Sequence, residues 1–286
     1  RPRCATRQWD QVRETTRLAE PPDQSDAAHT ATRQSPIVVL TGGGPLPWII
    51  INAVIEKYGP VTVLEEQPEP MTVLFRRRLK KLGTVTVAGQ IGFGLFQRVL
   101  RAASRNRLAD IIASHELREL PAHECPAIPV GSVNSDECRR ELARLKPSVV
   151  LVVGTRMIGR ATLASIDAPF VNYHAGVNPK YRGMCGGYWA LASGDPEHFG
   201  ATVHLIDQGV DTGGILYWQR VSPARDDNFV IYPFRLAASG RALVLRAMDD
   251  ALTGQLRTID NALPSQQWYH PTLWGYLGTG LRRGVW

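Results

Sequence analysis

Two polar residues two positions apart, Asn172 and His174, stand in the run Phe170-Val171-Asn172-Tyr173-His174, and Asp211 follows in a turn-forming run. In an extended strand, residues two apart share one face of the sheet. An amide and a protonated imidazole can both donate hydrogen bonds to an oxygen that gains negative charge. A carboxylate can orient the imidazole and favour its charged form. The three side chains together suit acyl transfer from a carbonyl group to an amine.

The surrounding residues make this pattern more specific than a lone N-x-H triplet. Residues 172–176 (NYHAG), 178–183 (NPKYRG) and 207–213 (DQGVDTG) occur in this order. Together they resemble the formyltransferases that use N10-formyltetrahydrofolate, a family that includes glycinamide ribonucleotide, methionyl-tRNA and nucleotide-sugar N-formyltransferases. The resemblance implies an α/β, Rossmann-like domain with a mostly parallel sheet. It also implies N10-formyltetrahydrofolate as co-substrate, with Asn172, His174 and Asp211 as the catalytic residues.

A loop at the carboxyl end of a strand is the expected folate site. The apolar run Val149–Val153 predicts a strand, and open α/β sheets bind ligands just beyond the carboxyl ends of their strands. In the family that this chain resembles, the corresponding loop lines the pterin pocket. By this resemblance, the residues expected to bind the cofactor are Met157, Ile158, Gly159, Asp207 and Gly209.

Two further groups are expected to bind the substrate. Gly42 and Gly43 lie between a strand over residues 37–40 and a helix over residues 45–58, where backbone N–H groups can bind a phosphate. The alternative is a tight turn that needs small residues. The absence of G-x-G-x-x-G disfavours a dinucleotide site. Lys180 and Arg182, on the loop after His174, are expected to meet the folate tail or the acceptor, with solvated loop cations as the alternative.

Composition is that of a globular enzyme with an excess of positive charge. The chain has 286 residues, a net charge of +7 and four scattered cysteines, which suggest reduced thiols rather than a disulfide framework or zinc site. No apolar run reaches the length of a transmembrane segment. We therefore expect a cytoplasmic protein without a transmembrane segment. We expect no metal, since the histidines lack a convincing set of ligands.

The positive excess is concentrated in residues 71–107, which contain no acidic residue. Candidate partners are the diphosphate of a nucleotide-activated sugar, an RNA or an anionic membrane face. The alternative is the solvated face of an amphipathic helix, because apolar residues are interleaved with the charges. The cations are Arg76, Arg77, Arg78, Lys80, Lys81, Arg98, Arg101, Arg105 and Arg107.

Three segments are expected from the distribution of polar and apolar residues. Residues 1–36 are polar and predict a flexible extension, residues 37–222 form the catalytic domain, and residues 223–286 form a helix, over 228–252, and an aromatic-rich tail. Asn134 and Glu137 resemble a capping box before another helix that ends at Leu145. Methionyl-tRNA formyltransferases carry an additional C-terminal β domain, for which residues 223–286 are too few, so a tRNA acceptor is not expected.

The function expected is formyl transfer to a small-molecule primary amine, with a nucleotide-linked amino sugar as first choice. Alternative acceptors are glycinamide ribonucleotide and an amino acid such as a hydroxyornithine. Other classes are a formyltetrahydrofolate hydrolase, in which water replaces the amine, and a non-catalytic folate-binding protein. The oligomeric state is left open, a homodimer included.

Overall fold

The structure is a computed structural model that describes residues 37–286. The flexible extension expected over residues 1–36 lies outside the described residues. The strands are β1 (Ile37–Thr41), β2 (Thr62–Glu66), β3 (Ile128–Val130), β4 (Val149–Val153), β5 (Phe170–His174), β6 (Arg182–Gly183), β7 (Gly200–Leu205), β8 (Ile215–Arg220) and β9 (Gln267–Trp268). The helices are α1 (Pro45–Tyr58), α2 (Met71–Leu82), α3 (Thr84–Ala103), α4 (Arg105–Ser114), α5 (Asp136–Leu145), α6 (Arg160–Leu163), α7 (Gly186–Ala192), α8 (Tyr232–Leu252) and α9 (Leu273–Arg283).

A seven-stranded, mostly parallel sheet organises the molecule. Its strand order is β3-β2-β1-β4-β5-β7-β8. The strands from β3 to β5 run parallel, whereas β7 and β8 are antiparallel to their neighbours. The continuous Val, Ile and Leu content of β1 and β4 explains their central position, since a parallel strand is buried on both faces. The predicted α/β, Rossmann-like fold is confirmed.

Side chains of β1 alternate between two apolar cores, one on each face of the sheet. Ile37 and Val39 join the core that contains α1 and α8, whereas Val38 and Leu40 join the core that contains α5. This alternation follows from the period of two along a strand. The sheet is therefore covered by helices on both faces, and polar side chains at the strand ends are left free to form a site.

The helix before β4 is capped by a different residue from the one expected. The Ser135 hydroxyl accepts a hydrogen bond from the Cys138 N–H, so Ser135 rather than Asn134 is the N-cap of α5. The Glu137 carboxylate instead accepts from the N–H of Gly131. The capping-box prediction was therefore wrong by one position, because two adjacent residues were both good N-cap types and only one has the required backbone geometry.

The basic segment forms three helices rather than one. Gly83, with a φ of 78°, ends α2, and Ser104 separates α3 from α4. The inner face of α3 packs into a third apolar cluster, in which the Phe93 ring lies 4.8 Å from the rings of Phe229 and Tyr276. The amphipathic helix expected here is thus one part of a helical layer that is joined to the C-terminal residues.

The C-terminal residues pack on the same body. Helix α8 begins at Tyr232 instead of residue 228, because residues 228–231 form a turn, and it packs on α1, β7 and β8. Strand β9 pairs in parallel with β6. The expected boundary between residues 222 and 223 stays a prediction. Within residues 37–286, no helix has both the length and the apolar character needed to cross a membrane.

Candidate functional site

Four polar side chains meet where the sheet changes from parallel to antiparallel strands. Asn172 and His174 lie on β5, and Asn172 is paired in register with His204 on the antiparallel strand β7. Asp211 lies in the turn between β7 and β8, with a φ of 50° that aspartate tolerates better than most residues. The structure therefore brings together the three residues predicted from the sequence and adds a fourth, His204.

The Asp211 carboxylate is the centre of this cluster. Its Oδ2 accepts a hydrogen bond of 2.8 Å from the Gly183 N–H and lies 3.5 Å from Nδ1 of His174. Its Oδ1 lies 3.4 Å from Nδ2 of Asn172 and 3.4 Å from Nε2 of His204. Both carboxylate oxygens thus face hydrogen-bond donors or imidazole nitrogens, which holds the carboxylate in one orientation.

The charge state of Asp211 follows from these neighbours. Burial alone would raise the pKa of the Asp211 carboxyl group, but the charge of His174, the contact with His204 and the Gly183 N–H hold that pKa well below its usual range. Asp211 is therefore an anion at every pH at which the protein is expected to work. An anion at this position favours a positive charge on a neighbouring imidazole.

The two nitrogens of His174 have different surroundings. Nε2 lies 2.7 Å from the backbone carbonyl oxygen of Tyr181, so this nitrogen is protonated and donates a hydrogen bond to the carbonyl. Nδ1 faces the Asp211 carboxylate and the cavity described below. His174 is nearly buried and its ring is fixed by the Tyr181 carbonyl. Nδ1 is consequently the nitrogen that can exchange a proton with a bound molecule.

The contacts of His204 place it directly beside Asn172. Its Nδ1 lies 2.7 Å from the carbonyl oxygen of Leu205, which identifies Nδ1 as protonated. Its Nε2 lies 3.0 Å from Nδ2 of Asn172 and can accept a hydrogen bond from that amide. His204 therefore orients the Asn172 side chain so that its N–H groups point into the cluster.

A cavity of about 780 Å³ opens over the cluster. Asn172, His174, His204 and Asp211 lie in its wall. Among the residues predicted to bind the cofactor, four line the same cavity, namely Met157, Ile158, Asp207 and Gly209. The side chain of Ile158 is largely directed into the core beneath, and Gly159 is not part of the cavity wall. This volume is in the range of pockets that hold drug-sized ligands.

Local hydrogen bonds explain the shape of the two loops that line this cavity. Oδ1 of Asp207 accepts from the Gly209 N–H at 2.9 Å and from the Thr212 hydroxyl at 2.6 Å, which closes the turn before Asp211. Asn134 bridges the other loop, since its amide donates to the Met157 carbonyl and accepts from the Gly159 N–H. Asp207 and Gly159 thus each form hydrogen bonds that stabilise one of the two loops.

Glu66 supports the same region and was not singled out from the sequence. Its carboxylate is buried and accepts hydrogen bonds from the Ser132 hydroxyl, the Val133 N–H and the Arg156 N–H, at 2.9 to 3.0 Å. It also forms an ion pair with the Arg156 guanidinium at 2.8 Å. Glu66 therefore links the loop after β3 to the loop after β4.

We expect Glu66→Gln to lower the free energy of unfolding by about 3 kcal/mol, because an amide NH2 group would face N–H donors and Arg156 would lose its counter-charge. Urea denaturation followed by circular dichroism would measure this change. Glu65→Gln, at the neighbouring half-buried position, is the matched control and should change stability by less than about 1 kcal/mol. Equal effects of the two substitutions would contradict the supporting role of Glu66.

Gly42 and Gly43 lie outside the wall of this cavity. A Cβ atom on Gly42 would overlap the carbonyl oxygen of Gly154, and one on Gly43 would lie 2.8 Å from the carboxylate of Glu65. Pro45 and Pro47 also remove two N–H donors from the start of α1. Close packing therefore explains both glycines, and their binding of a substrate phosphate stays a prediction.

Lys180 and Arg182 also lie outside the cavity wall. Lys180 forms an ion pair of 2.6 Å with Asp195. Arg182 donates to the Val210 carbonyl at 2.6 Å and to the Ser265 hydroxyl at 2.9 Å, so it fixes the turn that carries Asp211. Their contact with a substrate stays a prediction, and the contacts seen here are structural.

A second, smaller cavity of about 220 Å³ adjoins the first, since Arg77, Met184 and Tyr269 line both. Arg78 and Lys81 of α2 also line it, and Nζ of Lys81 lies 5.1 Å from the centre of the Tyr269 ring. Burial and the nearby Arg78 lower the pKa of His270, in the same wall, to about 4. Oε1 of Gln90, another residue of this wall, is buried without a hydrogen-bond partner. This cavity thus combines positive charge, an aromatic ring and a free acceptor.

Metal ligands are not grouped in the part of the chain that the structure describes. No cluster of three or more His, Cys, Asp or Glu side chains with a metal-binding arrangement occurs within residues 37–286.

The sequence and fold were compared with known proteins. A family model described as "Formyl transferase" matches residues 101–248. The methionyl-tRNA formyltransferase of Synechocystis sp. is 34% identical over 126 residues, which are 43% of this chain and 38% of that protein. The methionyl-tRNA formyltransferase of Chlorobium chlorochromatii is 28% identical over 183 residues, 58% of this chain and 56% of that protein. The chain spans about half the length of these curated relatives, or less.

Solved structures share the fold at low sequence identity. A 4-N formyltransferase from Francisella tularensis has a TM-score of 0.51 and 15% identity, and covers 81% of this chain and 75% of its own. An N-formyltransferase from Helicobacter canadensis, solved with folinic acid and dTDP-3-aminofucose, has a TM-score of 0.51 and 14% identity, with 82% and 70% covered. At these identities the likeness is one of fold.

Proposed function

Because this chain belongs to the formyl transferase family, we propose that it transfers a formyl group from N10-formyltetrahydrofolate to a primary amine. The observation that carries this proposal is the contact of the Asp211 carboxylate with Asn172, His174 and His204 at the floor of one cavity. Family membership supplies the reaction class, and the cluster supplies the groups that the reaction needs.

In the proposed reaction, the amine nitrogen attacks the formyl carbon and the carbonyl oxygen becomes negatively charged. The Asn172 amide and the protonated Nδ1 of His174 donate hydrogen bonds to that oxygen. In the structure the Asn172 amide makes its longer contact, 3.4 Å, with Asp211, and the substrate oxygen would replace this contact rather than the 3.0 Å contact with His204. His204 then keeps Asn172 oriented while the oxyanion is bound.

Proton transfer completes the reaction. The attacking amine loses a proton, and the bond between the formyl carbon and N10 of the folate breaks as N10 gains one. Asp211 is ionised and can take up the amine proton, directly or through a water molecule. The protonated Nδ1 of His174, 3.5 Å from this carboxylate, supplies the proton that N10 gains and is reprotonated from Asp211. The products are the formamide and tetrahydrofolate.

The 780 Å³ cavity is the proposed folate site. Its wall combines apolar groups, such as Met157 and Ile206, with the polar turn that holds Asp207 and Gly209. A pterin ring is flat and carries hydrogen-bonding edges, and this combination of apolar and backbone groups suits it. The resemblance implied contacts of Met157 and Ile158 with the ring, and we propose that Met157 makes its contact with the side chain and Ile158 with the backbone, because the Ile158 side chain is buried in the core.

For the acceptor we propose a nucleotide-linked amino sugar. The support is the second cavity, which adjoins the first and in which Arg78 and Lys81 supply positive charge for a diphosphate, whereas Arg77 is ion-paired with Glu69. Tyr269 offers a ring for stacking, and Oε1 of Gln90 offers an acceptor for a hydroxyl or N–H group. The Francisella and Helicobacter proteins share the fold, and the latter was solved with such a sugar nucleotide.

Turnover with defined amines tests the reaction and the acceptor separately. The 286-residue protein would be incubated with N10-formyltetrahydrofolate alone and with dTDP- and UDP-linked amino sugars, glycinamide ribonucleotide, hydroxyornithine or methionyl-tRNA. Release of tetrahydrofolate only when an amine is present is expected, and release without one would indicate hydrolysis instead. Turnover with methionyl-tRNA, the substrate named for the curated relatives, would overturn the choice of acceptor and leave the chemistry intact.

We expect Arg78→Gln with Lys81→Gln to raise KM for the phosphorylated acceptor by about tenfold or more, because two charges that bind its phosphates are lost. The KM for the folate and the kcat should change by less than about threefold. Steady-state kinetics with each substrate varied in turn would measure this. Lys80→Gln on the same helix, with an exposed side chain, is the control. A similar rise in KM in the control would show that the effect is not local.

A further inference from the structure

The outer face of α3 is apolar although it is exposed. Val85, Ala88, Ile91, Leu95 and Val99 follow one another three or four positions apart, and the four larger side chains, Val85, Ile91, Leu95 and Val99, are 72%, 46%, 56% and 65% exposed. The opposite face of the helix packs into the core through Phe93. A surface helix normally presents polar residues to water, and a helix that is apolar on all sides is normally covered on all sides. The exposed side of α3 therefore indicates a surface that something else covers.

The apolar stripe is long and is continued by a tryptophan. From Val85 to Val99 the helix rises about 21 Å. The Trp274 ring, 53% exposed, lies against α3, since a Cβ atom on Gly89 would be 2.5 Å from it. Tryptophan is favoured where a protein surface meets the headgroup region of a bilayer, because the ring is apolar and its N–H is polar. We define the outer face of α3 as Val85, Ala88, Ile91, Leu95 and Val99, together with Trp274.

Positive charge borders this face. Arg98 and Arg101 on α3 are exposed, and the exposed Arg76 and Lys80 lie on the adjoining helix α2. Residues 71–107 contain no acidic side chain that would neutralise them. Two symmetry-related copies of this face would bring these cations together, which disfavours self-association. A nucleic acid would match the charge but would leave the apolar stripe uncovered.

We propose that the outer face of α3 docks on the surface of an anionic lipid bilayer. The apolar stripe would enter the boundary between headgroups and acyl chains, and the arginines and lysines would contact anionic headgroups. The helix lies in the plane of the bilayer in this arrangement. The proposal does not rest on the proposed enzymatic activity, because none of the residues of this face belongs to the catalytic cluster or to the wall of either cavity.

Vesicle binding tests the proposal with the 286-residue protein. Vesicles of phosphatidylcholine alone, and of phosphatidylcholine with phosphatidylglycerol, would be sedimented with the protein at low and high salt. We expect binding to the anionic vesicles at low salt, weakened by salt, and at least tenfold weaker binding to neutral vesicles. Absence of binding to anionic vesicles, or equal binding to both kinds, would overturn the proposal.

Two double variants separate the apolar and the charged parts. Leu95→Gln with Val99→Gln, and Arg98→Gln with Arg101→Gln, should each reduce binding to anionic vesicles about tenfold. Leu120→Gln with Ile128→Gln removes two exposed apolar side chains outside α3 and should leave binding unchanged. Thermal melting would verify that each variant is folded. If the wild-type protein is a dimer that Leu95→Gln with Val99→Gln dissociates, while vesicle binding is absent, the face is a subunit interface and the proposal fails.

Discussion

Asp211→Asn is expected to reduce kcat/KM for formyl transfer by about a thousandfold while the protein remains folded. The asparagine has the same shape, but it carries no charge to favour the protonated form of His174, and it cannot take up the amine proton. Its NH2 group would lie against the Gly183 N–H and the His174 ring in one orientation, and against the Asn172 amide and the His204 ring in the other. Release of tetrahydrofolate with a saturating amine would measure the loss.

A pH series distinguishes this catalytic effect from a structural one. Because the pKa of Asp211 is lower in the folded protein than in the unfolded chain, its ionisation stabilises the fold at pH values above about 4. That stabilisation is lost as the pH falls below about 4 and through the folded-state value. The stability difference between the wild-type protein and Asp211→Asn should therefore shrink in acid. Asp260→Asn, at an exposed position outside both cavity walls, is the control, and an equal loss of activity there would argue against a special role for Asp211.

Gly176→Ala is expected to lower kcat about a hundredfold, although alanine is a small and conformationally permitted residue at this position. A Cβ atom on Gly176 would lie 2.6 Å from Nε2 of His174 and 2.6 Å from the carbonyl oxygen of Tyr181. It would therefore push apart the two atoms whose hydrogen bond fixes the catalytic imidazole. Steady-state kinetics would show the drop mainly in kcat, because neither cavity wall includes Gly176.

Gly94→Ala provides the matched control for this substitution. Gly94 lies within α3 and has no atom within 4 Å of an added Cβ, so alanine should leave kcat unchanged and slightly stabilise the helix. A normal kcat in Gly176→Ala would mean that His174 does not need the orientation seen here. A protein that fails to fold would be recognised by its circular dichroism spectrum, and Gly176→Ala produced and assayed at lower temperature would then give the kinetic comparison.

The elements with the strongest local signals could be predicted from the sequence. The proline-initiated helix Pro45–Tyr58 and the strand Val149–Val153 begin and end where the sequence indicated. The strand is apolar without interruption and the helix is apolar over most of its length, and proline or glycine lies at or near their ends. The convergence of Asn172, His174 and Asp211 was also predicted, because the N-x-H spacing fixes a common face and the family resemblance supplied the turn.

Partners that come from distant segments could not be predicted in the same way. His204 contacts Asn172 only because β7 runs antiparallel to β5 in one particular register, and a shift by one residue would direct His204 to the other face. Glu66 looked like an ordinary charged residue at the end of a strand, and its buried partners lie in loops far along the chain. The contacts of Lys180 and Arg182 likewise depend on Asp195 and Ser265, which no local pattern connects to them.

The basic segment shows a different limit of prediction. Interleaved leucines and arginines indicated one amphipathic helix, but Gly83 and Ser104 divide the segment into three helices. Arg77, Arg78 and Lys81 of α2 line the second cavity, whereas Arg98 and Arg101 of α3 border an apolar surface. One run of like charge in the sequence therefore serves two separate surfaces, and composition alone could not separate them.

The hydrogen bonds of Arg182 show which segments of the chain would have to be transferred together in a chimaera between relatives. The matched family region, residues 101–248, contains Asp211, but it lacks the central strand β1 and the segment around Ser265 that anchors Arg182. Strand β9, which pairs beside Gly183, also lies outside it. A chimaera in which only residues 101–248 are grafted onto another scaffold would carry Asn172, His174 and Asp211 without the segments that hold them in place. The transferable unit is thus larger than the region by which the family is recognised.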